Sequence, residues 1–272
     1  MVIRDLGQQN DPLLLFGGPY SNLQALTALR KQAEKQAISS DRMICTGDVV
    51  AYCSAPHETV KMIRDLGCPI VAGNCEKQLA ARQDNCGCGF DAGSTCDLLS
   101  AGWYAHANLA VTDDDRVWMR NLPDIVVFTH FGRRFAVIHG GVSEISRFIW
   151  PVSVEEVFEQ EVAQVQAIVG LVNGIIAGHS GIAFLRHVAG VEWINAGVIG
   201  MPANAGVATT QYITMCEGQA QIHALNYDHQ AEQKAMRAAG LTQGYHDALV
   251  SGYWPSEDVL PSDLRRAVTA SG

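Results

Sequence analysis

The sequence predicts an α/β fold, a parallel sheet with helices on its faces. Short apolar runs alternate with segments of helical period through the first seventy residues, and glycine stops a helix where a strand should follow. Composition agrees: 272 residues with 48% hydrophobic and 17% charged side chains bury a sizeable core, which excludes both a disordered chain and a small stapled scaffold.

Taken in order, Leu13–Phe16 reads as a buried strand, and Asn22–Gln36 as a helix carrying Leu23, Leu26 and Leu29 on one side. Arg42–Cys45 is the second strand. Pro56–Leu66 is a helix with Val60, Ile63 and Leu66 at helical spacing, Gly67 ends it, and Pro69–Ala72 returns as strand three. Residues 77–122 break the rhythm: Asp84–Ser94 is rich in glycine, cysteine and aspartate between helix-like flanks, the mark of an inserted cap. Strands resume at Ile125–Thr129 and Arg134–Ile138 across a tight Phe131-Gly132-Arg133 hairpin. Helix Val154–Val169, strand Gly174–Ala177, short strands through Tyr212–Cys216 and Ala220–Ala224, and a helix over 229–240 follow. The expected organisation is one domain over 1–240, with 77–122 as its cap, and a loosely packed C-terminal tail over 241–272.

A net charge of −9, from 28 acids against 19 bases, gives no basic field for a phosphate backbone, so nucleic acid is not an expected partner. The apolar runs fall short of the roughly 18–20 residues of a membrane helix, and no signal-like segment opens the chain. The expectation is a cytoplasmic protein with no membrane partner. In that setting the eight cysteines should be reduced thiols, and Cys86-Gly87-Cys88 is too tight for a usual zinc ribbon.

In open α/β sheets ligands gather beyond the carboxyl ends of strands. Those positions carry Thr46-Gly47-Asp48, Gly73-Asn74-Cys75-Glu76, His139-Gly140-Gly141 and Gly178-His179-Ser180-Gly181. Singly, each is an ordinary turn or strand end. Together, a carboxylate, an amide oxygen and two imidazoles at one sheet edge make a first shell for a divalent transition metal, with glycines turning the backbone beside it.

Order and spacing at these positions resemble the calcineurin-like metallophosphoesterases, whose motifs run D-x-H, G-D, G-N-H-D/E, H and G-H-x-H. Gly47-Asp48-Val49-Val50-Ala51-Tyr52 is similar to the G-D-x-x-x-Y stretch of their small bacterial branch. Trp193 to Pro202 resembles that branch's N-P-G-S-V-G-x-P segment, and Tyr227-Asp228 its final strand. The likeness covers about residues 12–240 and implies a four-layer αββα sandwich. The departures carry information. Gly18 stands for the first aspartate, Tyr20 for the first histidine, Gly181 for the last histidine, and Cys75 for the histidine of G-N-H. By the family's pattern, all three private ligands of one metal are gone and all four of the other remain. The resemblance therefore implies one divalent ion, manganese, iron or zinc, held by Asp48, Asn74, His139 and His179.

The implied activity is hydrolysis of a small-molecule phosphate ester by a metal-activated water; the alternative is a non-catalytic protein holding a metal or phosphate ligand on a degenerate phosphatase scaffold. A single ion can still activate water and polarise a phosphoryl oxygen. Arg147 is the candidate to replace the charge of the lost ion, since guanidinium offers a planar fork to phosphate. Cys75 is a further ligand, a nucleophile or an inert buried thiol. Tyr20 either contacts substrate or fills vacated volume, and Ser21 and Ser180 could bind a phosphate oxygen. Cys86, Cys88 and Cys96 could bind a soft metal, against unpaired thiols as the plainer expectation. The expected partner is a phosphorylated small molecule, and a homo-oligomer is compatible with the sequence.

Overall fold

Strands that are apolar on both faces must be covered on both faces. Residues 1–266, described by the computed structural model, meet this demand with two stacked sheets and outer helices. The strands are β1 (Ile3–Gln9), β2 (Leu13–Phe16), β3 (Met43–Cys45), β4 (Ile125–His130), β5 (Arg133–Val137), β6 (Gly174–Ala177), β7 (Ala183–Val188), β8 (Val191–Ala196), β9 (Thr210–Cys216) and β10 (Gln219–Leu225). The helices are α1 (Leu23–Lys35), α2 (Pro56–Leu66), α3 (Asn74–Ala80), α4 (Thr95–Ala110), α5 (Asp113–Arg120), α6 (Glu155–Val169), α7 (His229–Ala238) and α8 (Tyr245–Ser251). One sheet has the order β10-β9-β2-β3, the other β1-β4-β5-β6-β8-β7.

Period-two alternation sorts the side chains into three apolar layers. Leu13 and Leu15 of β2 pack between the sheets with Val126, Phe128, Phe135 and Ile194. Leu14 and Phe16, pointing the other way, meet Leu26 and Leu29 of α1 and Val60 and Ile63 of α2. On the far side, Ile175 and Trp193 pack on Phe158 and Val165 of α6. Each such side chain removed from water contributes about 1.5–3 kcal/mol. The result is helices, sheet, sheet, helix. Asn22 starts α1 by accepting a hydrogen bond from the Ala25 amide at 2.9 Å, and Gly67 (φ 64°) ends α2 in the left-handed region.

Several expectations change. The sheets are mixed rather than parallel, since β4 pairs antiparallel with β5, β7 with β8, and β9 with both β2 and β10. The run Pro69–Ala72 forms a single bridge, Cys45 to Ile70, because the Ala72 amide turns away to the Pro123 carbonyl. Strand β1 was not anticipated: its residues, IRDLGQQ, are largely exposed and show no apolar alternation. Tyr227-Asp228 is not a strand, because β10 ends at Leu225 and Asp228 caps α7 through the Ala231 amide. The segment after residue 240 is packed rather than loose: α8 lies against α7, and Tyr245, Leu249 and Leu260 are buried. Residues 267–272, the end of the expected tail, lie outside the described residues.

Candidate metal centre

Asp48 follows β3, Asn74 opens α3, His139 follows β5 and His179 follows β6. The four stand at one edge of the stacked sheets, and all four are buried. Asp48 and His179 hold left-handed backbone conformations, φ 54° and 62°, a strained geometry for residues other than glycine that clusters at functional sites.

The ring of His139 is the hub. Its Nδ1 lies 2.6 Å from the Thr46 carbonyl; a carbonyl only accepts, so Nδ1 carries the proton. In the neutral ring Nε2 then presents a lone pair, and around it lie Asn74 Oδ1 at 3.0 Å, His179 Nδ1 at 3.1 Å and Asp48 Oδ2 at 3.3 Å. The Asn74 amide is oriented by its Nδ2 donating to the Cys86 carbonyl at 2.9 Å, so its oxygen faces His139. Ligand atoms of Asp48, His139 and His179 all lie within 4.8 Å of one another, the one such trio of histidine, cysteine or carboxylate groups among the described residues. Three ligand atoms, Asn74 Oδ1, Asp48 Oδ2 and His179 Nδ1, thus surround Nε2 in one small buried space, and these nitrogen and oxygen donors fit a divalent transition metal.

The buried charges act on one another. Burial raises the Asp48 carboxyl, but the two imidazoles and the Cys75 amide outweigh it and hold the group below its ordinary value. Burial lowers His139, yet Asp48 and the Thr46 carbonyl lift it overall. Burial and the neighbouring His139 push His179 down to about 3, which keeps its imidazole neutral, the state that binds metal. Behind the ligands, the Glu76 carboxylate accepts from the amides of Asp48 at 2.8 Å, Val49 at 2.9 Å and Gly73 at 2.9 Å. It thereby fixes both ligand-bearing loops. Burial and the nearby Asp48 raise Glu76 to about 7.

A small pocket, partly open to solvent, adjoins this centre. His179 and Ser180 form its floor, and Tyr20, Phe148, Tyr52 and Trp254 are among its walls. The Phe148 ring lies over His179 with centroids 4.4 Å apart. Tyr20 therefore reaches the site; burial and Asp48 push its phenol well up, so it stays neutral. Cys75 is buried beside Asp48, which accepts its amide hydrogen at 3.2 Å. Burial and that carboxylate raise the thiol well above its usual value.

Arg147 does not serve the site. Its guanidinium pairs with Glu161 of α6 at 2.8 Å and reaches Gln160 at 3.1 Å. Glu161 is wholly buried and needs the counter-charge. No lysine or arginine lines the cavity among the described residues. Ser180 Oγ is engaged by Asn195 at 2.9 Å. Sequence reasoning did not assign roles to Thr46, Glu76, Phe148 or Trp254. Glu76 had a signal, its place in Gly73-Asn74-Cys75-Glu76; Phe148 and Trp254 had none, being single aromatics in irregular segments.

Comparison with known proteins places this geometry. The profile of the calcineurin-like phosphoesterase superfamily domain matches residues 21–218. An uncharacterized protein of Methanocaldococcus jannaschii is 25% identical over 182 residues, and the match spans 66% of each chain, just under two thirds of the relative's length. Two crystal structures share the fold. A hypothetical protein of Pyrococcus horikoshii superposes with TM-score 0.71 at 14% identity, covering 89% of this chain and 98% of that one. A metallophosphoesterase of Sphaerobacter thermophilus does so with TM-score 0.66 at 19% identity, over 90% and 100%. No helix of the described residues is long and apolar enough to cross a membrane. With the superfamily profile spanning most of the chain and both sheets, this protein belongs to the calcineurin-like phosphoesterase superfamily.

Proposed function

We propose that this chain hydrolyses a small-molecule phosphate ester at a single divalent-metal site built by Asp48, Asn74, His139 and His179. The observation that carries the reading is the convergence of Asn74 Oδ1, His179 Nδ1 and Asp48 Oδ2 on Nε2 of His139. An ion in that space would lower the pKa of a bound water and polarise a phosphoryl oxygen.

The chain's own residues do the rest. Thr46 sets the tautomer of His139, and Glu76 holds the Asp48 loop in register. Phe148, Tyr52 and Trp254 give the cavity apolar walls, and low-dielectric walls strengthen electrostatic contacts inside it. The neutral Tyr20 phenol on the cavity wall can donate a hydrogen bond to an ester oxygen.

The single-site reading is supported by what fills the other side of Asp48. A Cβ at Gly18 would stand 2.7 Å from the Tyr20 ring and 2.6 Å from Val198, and one at Gly181 would stand 3.2 Å from the Trp254 ring. Aromatic side chains take the volume that ligands at positions 18 and 181 would need.

The test pairs metal content with turnover. Protein loaded with manganese, iron or zinc should carry one ion per chain and hydrolyse an aryl phosphate. His179→Ala should lose the ion, and His139→Ala should lose ion and turnover together. Bound metal with no turnover on aryl phosphate or diester would favour a non-catalytic metal- or phosphate-binding protein. Full occupancy in His179→Ala would sink the ligand assignment.

A further inference from the structure

The pocket beside the metal centre is walled by aromatic rings. The Phe148 ring, already seen over His179, stacks on Phe90 with centroids 6.1 Å apart. Tyr52 packs on Tyr20 at 4.8 Å and on Tyr245 at 4.4 Å. The Trp254 indole is fixed by Nε1 donating to the Pro202 carbonyl at 2.6 Å, and its amide donates to Asn204 Oδ1 at 2.8 Å. The loop that brings Phe90 to this wall turns sharply. Gly87 and Gly89 have φ of 59° and 74°, and Cys86 and Cys88 are joined in a disulfide, in place of the reduced thiols expected from the sequence.

Next to the pocket lies a second hollow, which shares Phe90, Cys96, Phe148 and Val259 with it and adds the exposed carboxylates of Asp91 and Asp258. The Thr95 amide donates to Asp258 at 3.0 Å, and hydrogen bonds from Thr95 hold that carboxyl below its ordinary value. No lysine or arginine lines either hollow among the described residues. The guanidinium groups nearby are engaged elsewhere: Arg265 donates to the carbonyls of Leu260 at 2.7 Å and Asp258 at 3.0 Å, and Arg266 pairs with Glu257 at 2.8 Å. A rim of one sign beside apolar walls focuses its field, so this one draws cations and repels anions. An ester bearing further negative charge is repelled there, and a neutral aryl ester leaves both carboxylates unused. A positively charged group uses the carboxylates and the ring faces together, since aromatic faces attract ammonium ions.

We infer that the substrate is a small phosphate ester of an amino alcohol, with its ammonium group held by the aromatic walls in the field of Asp91 and Asp258 and its phosphate at the centre of Asp48, Asn74, His139 and His179. The small size of the pocket suits such a compact head group better than a nucleoside. The phosphate half of this inference rests on the hydrolytic reading proposed above; the ammonium half rests on the aromatic walls and the acidic rim alone.

The experiment compares choline phosphate with 3,3-dimethylbutyl phosphate, which has the same shape with carbon in place of nitrogen and so lacks the positive charge. Isothermal titration into the full, metal-loaded chain should show choline phosphate binding about tenfold more tightly, the order expected of a cation against aromatic faces. The Asp91→Asn/Asp258→Asn double variant keeps the shape of the rim without its charge, and Trp254→Leu removes a ring; each should bring the two affinities closer together, with an unchanged circular dichroism spectrum showing that the variant folds. Equal or tighter binding of the neutral probe by the wild type overturns the inference, as does binding of neither probe or an unchanged ratio in both variants. Selective binding of choline phosphate without its hydrolysis would overturn the hydrolytic reading and leave the ammonium pocket standing. Hydrolysis of an aryl phosphate by a chain that binds both probes equally would do the reverse.

Discussion

Gly73 offers a clean steric probe of the metal centre. Its φ of −86° and ψ of 175° suit any residue, so alanine adds bulk without backbone strain. The added Cβ would collide with the Asp48 carboxylate oxygen Oδ1 and stand 2.5 Å from the Asp48 amide nitrogen and 2.9 Å from its Cγ. Ordinary contact needs about 3.5 Å or more, so the carboxylate must retreat by roughly 0.6 Å at Cγ and by about 1 Å or more at Oδ1. Metal–ligand distances tolerate only about 0.2 Å. Affinity for Mn2+ or Zn2+ should therefore fall by about 10–100-fold, the range seen when a ligand's support is removed, with turnover falling alongside. Overpacking should cost about 1–3 kcal/mol of stability. Isothermal titration of metal into the folded variant reads the affinity. Gly102→Ala is the comparator, since its Cβ meets only the movable end of Gln243 within helix α4. It should bind metal as the wild type does and melt no lower. Wild-type affinity in Gly73→Ala would refute the placement of Asp48 as a ligand.

Phe148→Ala removes the ring lying over His179 and should raise KM for an aryl phosphate more than it lowers metal occupancy, as steady-state kinetics with elemental analysis would reveal. Asp115→Asn weakens a clamp between α2 and α5, where the carboxylate holds His57 at 2.7 Å, Arg64 at 3.2 Å and the Thr112 amide at 2.9 Å; about 1 kcal/mol should be lost in urea unfolding at neutral pH. Burial raises the Asp115 carboxyl, but His57 and Thr112 outweigh it and the net shift is downward. Its ionised form therefore stabilises the fold above the ordinary carboxylate value near 3.9 and ceases to do so as pH falls through the lower folded value, so the difference from Asp115→Asn should vanish in strong acid. Leu249→Ala in α8 should cost about 2–4 kcal/mol and lower Tm by several degrees; an unchanged Tm would return the C-terminal segment to the status of a loose tail.

The four residues of the candidate centre were legible as a cluster because they sit beyond apolar runs beside glycine, and those runs the structure mostly reproduces as strands within a residue or two, as at Leu13–Phe16 and Gly174–Ala177. Helix α2 was legible to the residue, since Pro56 opens it and Gly67 closes it. What escaped depends on contacts distant in sequence. Strand β1 is polar and is a strand only because β4 lies beside it, parallel, with a register shift between Asp5 and Gln8. Sheet direction followed from pairing, which alternation does not encode. Helix α8 has Tyr245, Ala248 and Leu249 at helical spacing, but its seven residues are too few for periodicity to stand out. Arg147 could not be placed from sequence, because its partner Glu161 lies fourteen residues on, across a turn and a helix start.

The residues of the candidate metal centre do not come from one sheet. Asp48 leaves the four-stranded sheet, while His139 and His179 leave the six-stranded one, and the Thr46–His139 hydrogen bond already crosses between them. An ion held by all three fastens the two halves of the sandwich at the edge where the strands end. A ligand that binds only the folded chain adds about 2.7 kcal/mol when present at a hundredfold excess over Kd. Metal supply would then govern how long the folded chain survives, apart from the proposed hydrolysis, and metal-stripped chains should exchange their amide hydrogens first along that edge, where β3 and β5 end.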